Sequence, residues 1–436
     1  MQSEFLHQTL RAFKHRNYRL FFGGQSFSLM GTWMQQIALG WLVYRLTDSA
    51  FLLGLVGFSS QVPTFALAAF AGVMADRHSK HRIIITTQTL AMLQAFILAV
   101  LTLTNTIQIW HILLLSLFSG LINAFDMPTR QSFVIEMVED RNDLPNAIAL
   151  NSSMFNAARL IGPTAAGFLI FSLGEGLCFL INAVSYLAVI TALLLMKISP
   201  LVNNTKNEKV LEGLKEGINY AYKFKPIRVL LLLIGLVSLT GMPYTVLMPV
   251  FARDVLHGNA HTLGFLFGSV GAGAFIGALY LASRKTVLGL GRWIAKAATI
   301  FSLGLLFFSF SRNLYLSIAL MLFTGFGMMM QMASTNTLLQ TLVDDDKRGR
   351  VMSLYVMAFM GTAPFGSIMA GTLASIIGAP LTILSSGLIC LTGALVFAKN
   401  LPSLREYIRP VYIKMGILPE VSTGLQSTTH LKMPPN

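Results

Sequence analysis

Charge is what this sequence has least of. Of its 436 residues only 11% are Asp, Glu, Lys or Arg, against roughly 25% in a soluble globular chain. So few charges cannot cover a water-facing surface, which excludes the two or three soluble domains that the length alone suggests. Cysteine is nearly missing: Cys178 and Cys390 both lie in apolar runs, leaving no disulfide framework and no cysteine-based metal site. The eight histidines sit mainly in loops and near the N-terminus, so the clustered His, Asp and Cys of a membrane-embedded enzyme are absent. There is no Gly-x-x-x-x-Gly-Lys-Ser/Thr loop, so this chain hydrolyses no ATP. No metal and no cofactor are expected.

What is present is apolar. Hydrophobic residues make up 54% of the chain, with 36 Gly among them and a mean hydropathy of +0.65. Runs long enough to cross a bilayer fall near 19–44, 51–75, 83–104, 108–127, 146–172 and 176–196. After a polar break they resume near 227–251, 262–283, 292–311, 314–341, 350–377 and 380–398. The first run is too long for a signal-peptide core and no small-residue cleavage site follows it. The expectation is an all-α membrane protein with 12 transmembrane helices in two pseudo-symmetric six-helix bundles. Its parts are an N-terminal bundle over 1–196, a cytoplasmic linker over 197–226, a C-terminal bundle over 227–400 and a cytoplasmic tail over 401–436.

The basic residues set the orientation. The N-terminus, every second loop and the tail hold 27 Lys and Arg, while the opposite side has only Arg45, Arg253 and Arg312. By the positive-inside rule both termini are cytoplasmic, and the chain is expected in a bacterial cytoplasmic (inner) membrane. The surplus of +14 therefore reports topology. A nucleic-acid binder would gather it on one soluble module. The expected partners are the lipid bilayer and a small-molecule substrate, with no nucleic acid, no ATP and a monomeric chain.

The two halves echo each other. Residues 129–153 and 334–358, about 205 apart, both run from a Val step through an acidic cluster and a basic residue into a helix. Parallel six-helix repeats are a known transporter design. In the linker, Val210, Leu211, Leu214, Ile218 and Tyr222 recur at helical spacing between Lys and Glu, an amphipathic helix for the membrane face. The tail after Leu401 is polar with scattered Pro, a composition that argues against order.

Several stretches carry motifs. The loop after the second run reads Gly72-Val-Met-Ala-Asp76-Arg77-His78-Ser79-Lys80-His81-Arg82. The fifth run reads Arg159-Leu-Ile-Gly162-Pro163-Thr-Ala-Ala-Gly167, where Gly-Pro frees a backbone carbonyl and permits a kink. Pro128-Thr-Arg130-Gln131 and Leu144-Pro-Asn146-Ala147 precede it, and Leu211-Glu-Gly213-Leu214 with Tyr220 stands in the linker. In its place between the second and third of twelve spans, the first stretch resembles the cytoplasmic loop motif of the major facilitator superfamily. The resemblance covers nearly the whole chain. The second resembles the Gly-Pro motif of that superfamily's exporters, although Ala158 and Ala166 stand where glycines are often found. Together they resemble the branch of the enterobactin exporter and the transmembrane secretion effectors.

The resemblance implies more. Gly72, Asp76, Arg77, Lys80 and Arg82 would form a cytoplasmic gate, Asp76 meeting Gly349 to Met352 and the basic residues reaching acids across the bundles. Ser283 stands at the corresponding place in the second half, so the latch would be asymmetric. Spans 1, 4, 7 and 10 would line a central cavity. Their polar stripes are Gln25, Ser28, Thr32 and Gln36; Ser116, Ser119, Asn123 and Asp126; Ser238, Gly241, Tyr244 and Thr245; and Thr324, Gly327, Gln331 and Thr335. Such residues also stitch helices together. The methionines around Gln331 suit a large, partly apolar ligand, or simple packing.

Two charges stay inside the spans without excuse. Arg159 lies about 13 residues into its run, near mid-depth, where a charge costs roughly 2.5 kcal/mol or more. It reads as a binding charge for an anionic substrate, a gating counter-ion, or a partner of helix carbonyls. Asp126 is the proton-coupling candidate, because antiport wants a carboxylate whose pKa can move; its alternative is an i,i+4 pair with Arg130. The function expected is secondary active transport by alternating access, exporting a siderophore-like or amphipathic drug-like molecule with proton coupling. An uptake permease, siderophore import included, or a lipid flippase remains the alternative.

Overall fold

The computed structural model describes residues 10–197, 210–284 and 286–415. The first half folds into α1 (Arg16–Thr47), α2 (Ala50–Arg77), α3 (Lys80–Leu103), α4 (Ile109–Met137), α5 (Leu144–Leu173) and α6 (Glu175–Leu194). A linker helix, Val210–Lys223, leads to α7 (Lys225–Val255), α8 (Ala260–Ala282), α9 (Leu290–Phe310), α10 (Leu314–Leu342), α11 (Lys347–Ile377) and α12 (Ala379–Lys414).

The helix starts are written locally. Side chains of Ser49, Ser79, Asn259 and Asn313 accept the orphan N–H groups of α2, α3, α8 and α10, the usual work of an N-cap. Turns repeat between the halves at the offset seen in the sequence. Gly174 and Gly378, with φ of +82° and +83°, end α5 and α11, and Asp48 and His257, both at φ +49°, end α1 and follow α7. Left-handed backbone is tolerated by Gly and less readily by Asp or His.

Packing repeats in the same way. In the first half α1 packs on α5 and α6, α3 on α4 and α6, and α2 on α4; in the second, α7 packs on α11 and α12, α9 on α10 and α12, and α8 on α10. The halves meet along two seams, α5 with α8 and α2 with α11.

Eleven helical stretches among the described residues are long and apolar enough to cross a membrane. The helix left out is α1. Gln25, Ser26, Ser28, Thr32, Gln35 and Gln36 dilute its apolar content. One departure from what the sequence suggests has a physical cause. The segment after Leu401, expected to lack order, continues α12 to Lys414. Its polar composition hides Leu401, Leu404, Ile408 and Tyr412 at spacings of three and four, and all four are buried. In the linker helix the buried residues are Gly217, Tyr220 and Ala221, whereas Ile218 and Tyr222 are exposed. Residues 198–209 and the side chains of 210–215 lie outside the described residues.

The end bearing residues 10–15, the linker helix and residues 286–289 is the linker end, and the opposite one the far end. The seams are tight toward the far end. A Cβ on Gly54 would fall 2.9 Å from the Gly371 Cα, and one on Gly167 would fall 2.9 Å from the Gly264 Cα. At the linker end, Cβ atoms on Gly72 and Gly349 would meet open space. The halves therefore touch at the far end and splay at the linker end. Gly371→Leu should destabilise this arrangement by about 1–3 kcal/mol, the usual cost of overpacking. It should show as a lower melting temperature in detergent; an unchanged melting curve would mean that this contact is not close.

Candidate functional site

The far end is latched across the halves. The α7 helix closes on a π turn, Phe251–Val255, that carries Arg253 and Asp254 up to the end of α1. The Tyr44 hydroxyl donates to the Asp254 carboxylate, Arg253 pairs with Asp48, and the Arg253 guanidinium lies 5.5 Å from the Tyr44 ring centroid. Within the first half Arg45 reaches Glu175 through two hydrogen bonds of 2.7 and 3.2 Å. No motif in the sequence singles out this latch. Its signal was there: Arg45 and Arg253, scarce basic residues on that side, each fall near an equally scarce acid.

Beneath the latch lies a cleft that opens toward the linker end. On α1 the polar stripe divides: Gln25 and Ser28 are buried, while Thr32 and Gln36 are exposed. Asn123 on α4 is also exposed. Exposing amides to lipid is costly, which assigns these faces to the cleft. Thr32 donates to the Ser28 carbonyl at 2.9 Å and lies 3.4 Å from the Tyr186 hydroxyl. Thr245 is spent on the Met242 carbonyl at 3.0 Å. A buried network that the sequence reading did not pick out, Asn182 to Gln35 at 2.8 Å and Gln35 to Gln94 at 3.0 Å, stitches α6, α1 and α3.

The candidate residues of α7 and α10 are buried rather than open to the cleft, and their polar atoms are unspent. Tyr244 is 2% exposed and Gln331 and Thr335 are each 1% exposed. The Tyr244 hydroxyl, both polar atoms of Gln331, the hydroxyls of Ser116, Ser334 and Thr335 and the Gln25 Oε1 have no hydrogen-bond partner. Buried polar groups are ordinarily paired, so such a concentration marks a place where something other than the chain supplies the partners. Arg159 projects from α5 across the seam. Its Nη2 lies 3.6 Å from the Met328 sulfur on α10, a weak contact. Among the described residues no carboxylate lies within ion-pair distance of Arg159. Pro163, four residues on, cannot donate to the Arg159 carbonyl. Gly271 of α8 packs against that carbonyl: its Cβ would fall 2.9 Å away. Gly162 presses on Trp33 of α1.

The linker-end motif is open. The side chain of Asp76 lies outside the described residues, and the open space at Gly72 and Gly349 keeps α2 from meeting α11 there. Lys80 pairs in this conformation with Glu136, an acid of its own half, at 2.8 Å. Arg77 and Arg82 are exposed. Arg350 of α11 is held instead by Glu216 of the linker helix at 2.6 Å. Asp126 is buried, accepts from Thr87 and Gln88 at 2.8 Å each, and pairs with Arg130 one turn on.

Comparison with known proteins places these features. The chain matches the transmembrane secretion effector family over residues 7–410. It is 28% identical to the staphyloferrin A transporter of Staphylococcus aureus, covering 87% of this chain and 95% of the other. It is 26% identical to the multidrug efflux pump Tap of Mycolicibacterium fortuitum, over 85% and 92%. In fold it is similar to a bacterial homologue of the human lysosomal transporter Spinster in an inward-facing, unoccupied conformation, with a TM-score of 0.67, 14% identity and coverage of 88% and 96%.

The latch yields a direct expectation. Tyr44→Phe removes a donor to a charged acceptor, worth about 1.5–3 kcal/mol. A cysteine placed at Val246, beneath the latch, should then be labelled from the far end about tenfold faster or more. Labelling at the parent rate would show that Tyr44 does not hold this end shut.

Proposed function

We propose a function from the premise that this chain belongs to the transmembrane secretion effector family, and is thus a multi-pass transporter of small molecules and not an enzyme. It works by alternating access, exporting a siderophore-like or amphipathic drug-like compound from a bacterial cytoplasm across the inner membrane as a monomer. One observation carries the reading: repeat-related helix sets enclose a cleft of unspent polar groups that is latched at the far end and open at the linker end. The functional parts are the bundles 1–196 and 227–400, the linker 197–226 and the tail 401–436. The 27-to-3 division of basic residues supports twelve spans, α1 among them, with the linker end in the cytoplasm. The cleft thus stands open to the compartment from which an exporter loads. The relatives named for staphyloferrin A transport and for multidrug efflux support the substrate class.

Coupling is assigned to protons and to Asp126. Its carboxylate holds Arg130 beside Lys80–Glu136 at the linker end; taking a proton would release Arg130 and loosen the α3–α4 contact. Asp126→Asn should abolish the dependence of transport on the proton gradient in everted vesicles, and intact dependence would remove Asp126 from coupling. Deleting the gene should raise cell-associated siderophore or dye and lower its secretion. A fall in uptake would instead favour the permease, and activity seen only as lipid transfer between leaflets would favour the flippase.

A further inference from the structure

We propose that the turn joining α8 to α9 binds the phosphate-bearing headgroup of an anionic phospholipid, in the leaflet at the linker end. The site lies on the flank of the second half, and it does not depend on what the cleft carries.

One ring gathers the site. The Trp293 indole, in the first turn of α9, lies 4.9 Å from the Tyr280 ring near the end of α8. Two cations approach the same indole, the Arg284 guanidinium at 5.9 Å and the Lys296 ammonium at 5.3 Å from its centroid. The turn itself aims Arg284. Its Nη2 donates to the Leu288 carbonyl at 2.7 Å, while its Nε is buried with no hydrogen-bond partner. A ring face attracts each cation, but two like charges so placed repel unless they share an anion.

The chain supplies no such anion. Between Asp254 and Asp344 the sequence holds no Asp or Glu, and among the described residues Arg284, Arg292 and Lys296 enter no ion pair. The matching turn of the first half is different, because there Lys80 has Glu136 at 2.8 Å.

Lys296 shows where the anion comes from. It is exposed, and it shares a face of α9 with exposed Arg292, four residues before, and with Phe307, eleven residues after. Phe307 is 54% exposed, so this face looks onto lipid. Lys296 stands six residues beyond Leu290, a rise of about 9 Å. An ammonium at that depth on a lipid-facing surface runs its apolar stem back to the headgroups, where phosphate meets it. A zwitterionic headgroup brings its own cation to that meeting. An anionic one brings the charge that the three basic residues lack.

Binding is read by native mass spectrometry of the purified full chain in detergent, with phosphatidylglycerol or phosphatidylcholine of the same acyl chains added. The parent should hold phosphatidylglycerol about tenfold more tightly. Arg284→Gln combined with Lys296→Gln should bring the two lipids to near parity. Arg16→Gln combined with Arg19→Gln removes the same charge from exposed positions of the first half and should keep the preference. Arg284→Lys combined with Lys296→Arg conserves the charge and should keep it too, even where the glutamine pair unfolds the turn. A parent without preference overturns the proposal, as does an equal loss in the Arg16 and Arg19 variant. Loss of the preference in millimolar inorganic phosphate would assign the turn to free anions and overturn the lipid assignment.

Discussion

Within a bilayer a polar group finds no solvent partner, so the chain must meet each one internally or enclose water around it. The helices answer this for the backbone. For the side chains the answers differ by position. Hydroxyls along the spans mostly bond back to carbonyls of their own helix, as Thr32, Thr240 and Thr324 do. Amides pair between helices, as Gln35, Gln94 and Asn182 do. The carboxylates Asp126 and Glu136 take basic partners. Much of what is left after this satisfaction lies on α1, α4, α7 and α10, Tyr244, Gln331 and Thr335 among it, and those residues mark the candidate site.

The same constraint explains how the halves can move. Lipid supplies no hydrophobic drive between helices, so association depends on close packing of small residues. Gly54 with Gly371, and Gly167 with Gly264, let backbones approach at the far end. These are contacts of shape and can part without exposing buried ions. The Tyr44–Asp254 and Arg253–Asp48 links add polar contacts that water can replace once they separate. At the linker end the α11 entry is held by Glu216 rather than by α2, so the linker helix takes part in keeping that end apart.

Much of the fold was legible because the membrane makes hydrophobic length so informative. The positions of the apolar runs, the break between the halves and the repeat offset all reappear as helices and as paired turns at Gly174 and Gly378. The extent of α12 was not legible by composition, since the Leu401–Tyr412 stripe is visible only as a periodicity. The site was legible in part. Arg159, Tyr244, Gln331 and Thr335 stood out as polar residues inside apolar runs, but which of them are unspent depends on rotamers and neighbours. Gln35 and Gln36 show the difficulty: adjacent and chemically identical, one is tied into the first half and the other faces the cleft. In the conformation described, Lys80 of the gate motif is held by Glu136, an acid of its own half. A sequence motif names residues without stating the conformation in which they meet.

The central claim is that the two ends open alternately. It is tested most directly by spin-label distances across the halves, with one pair at Arg82 and Arg292 on the linker end and another at Trp110 and Tyr315 on the far end. Imposing the proton gradient with substrate in reconstituted membranes should shorten the first distance and lengthen the second in the same population. Distances that change together, or a far-end distance that never lengthens, would contradict the account.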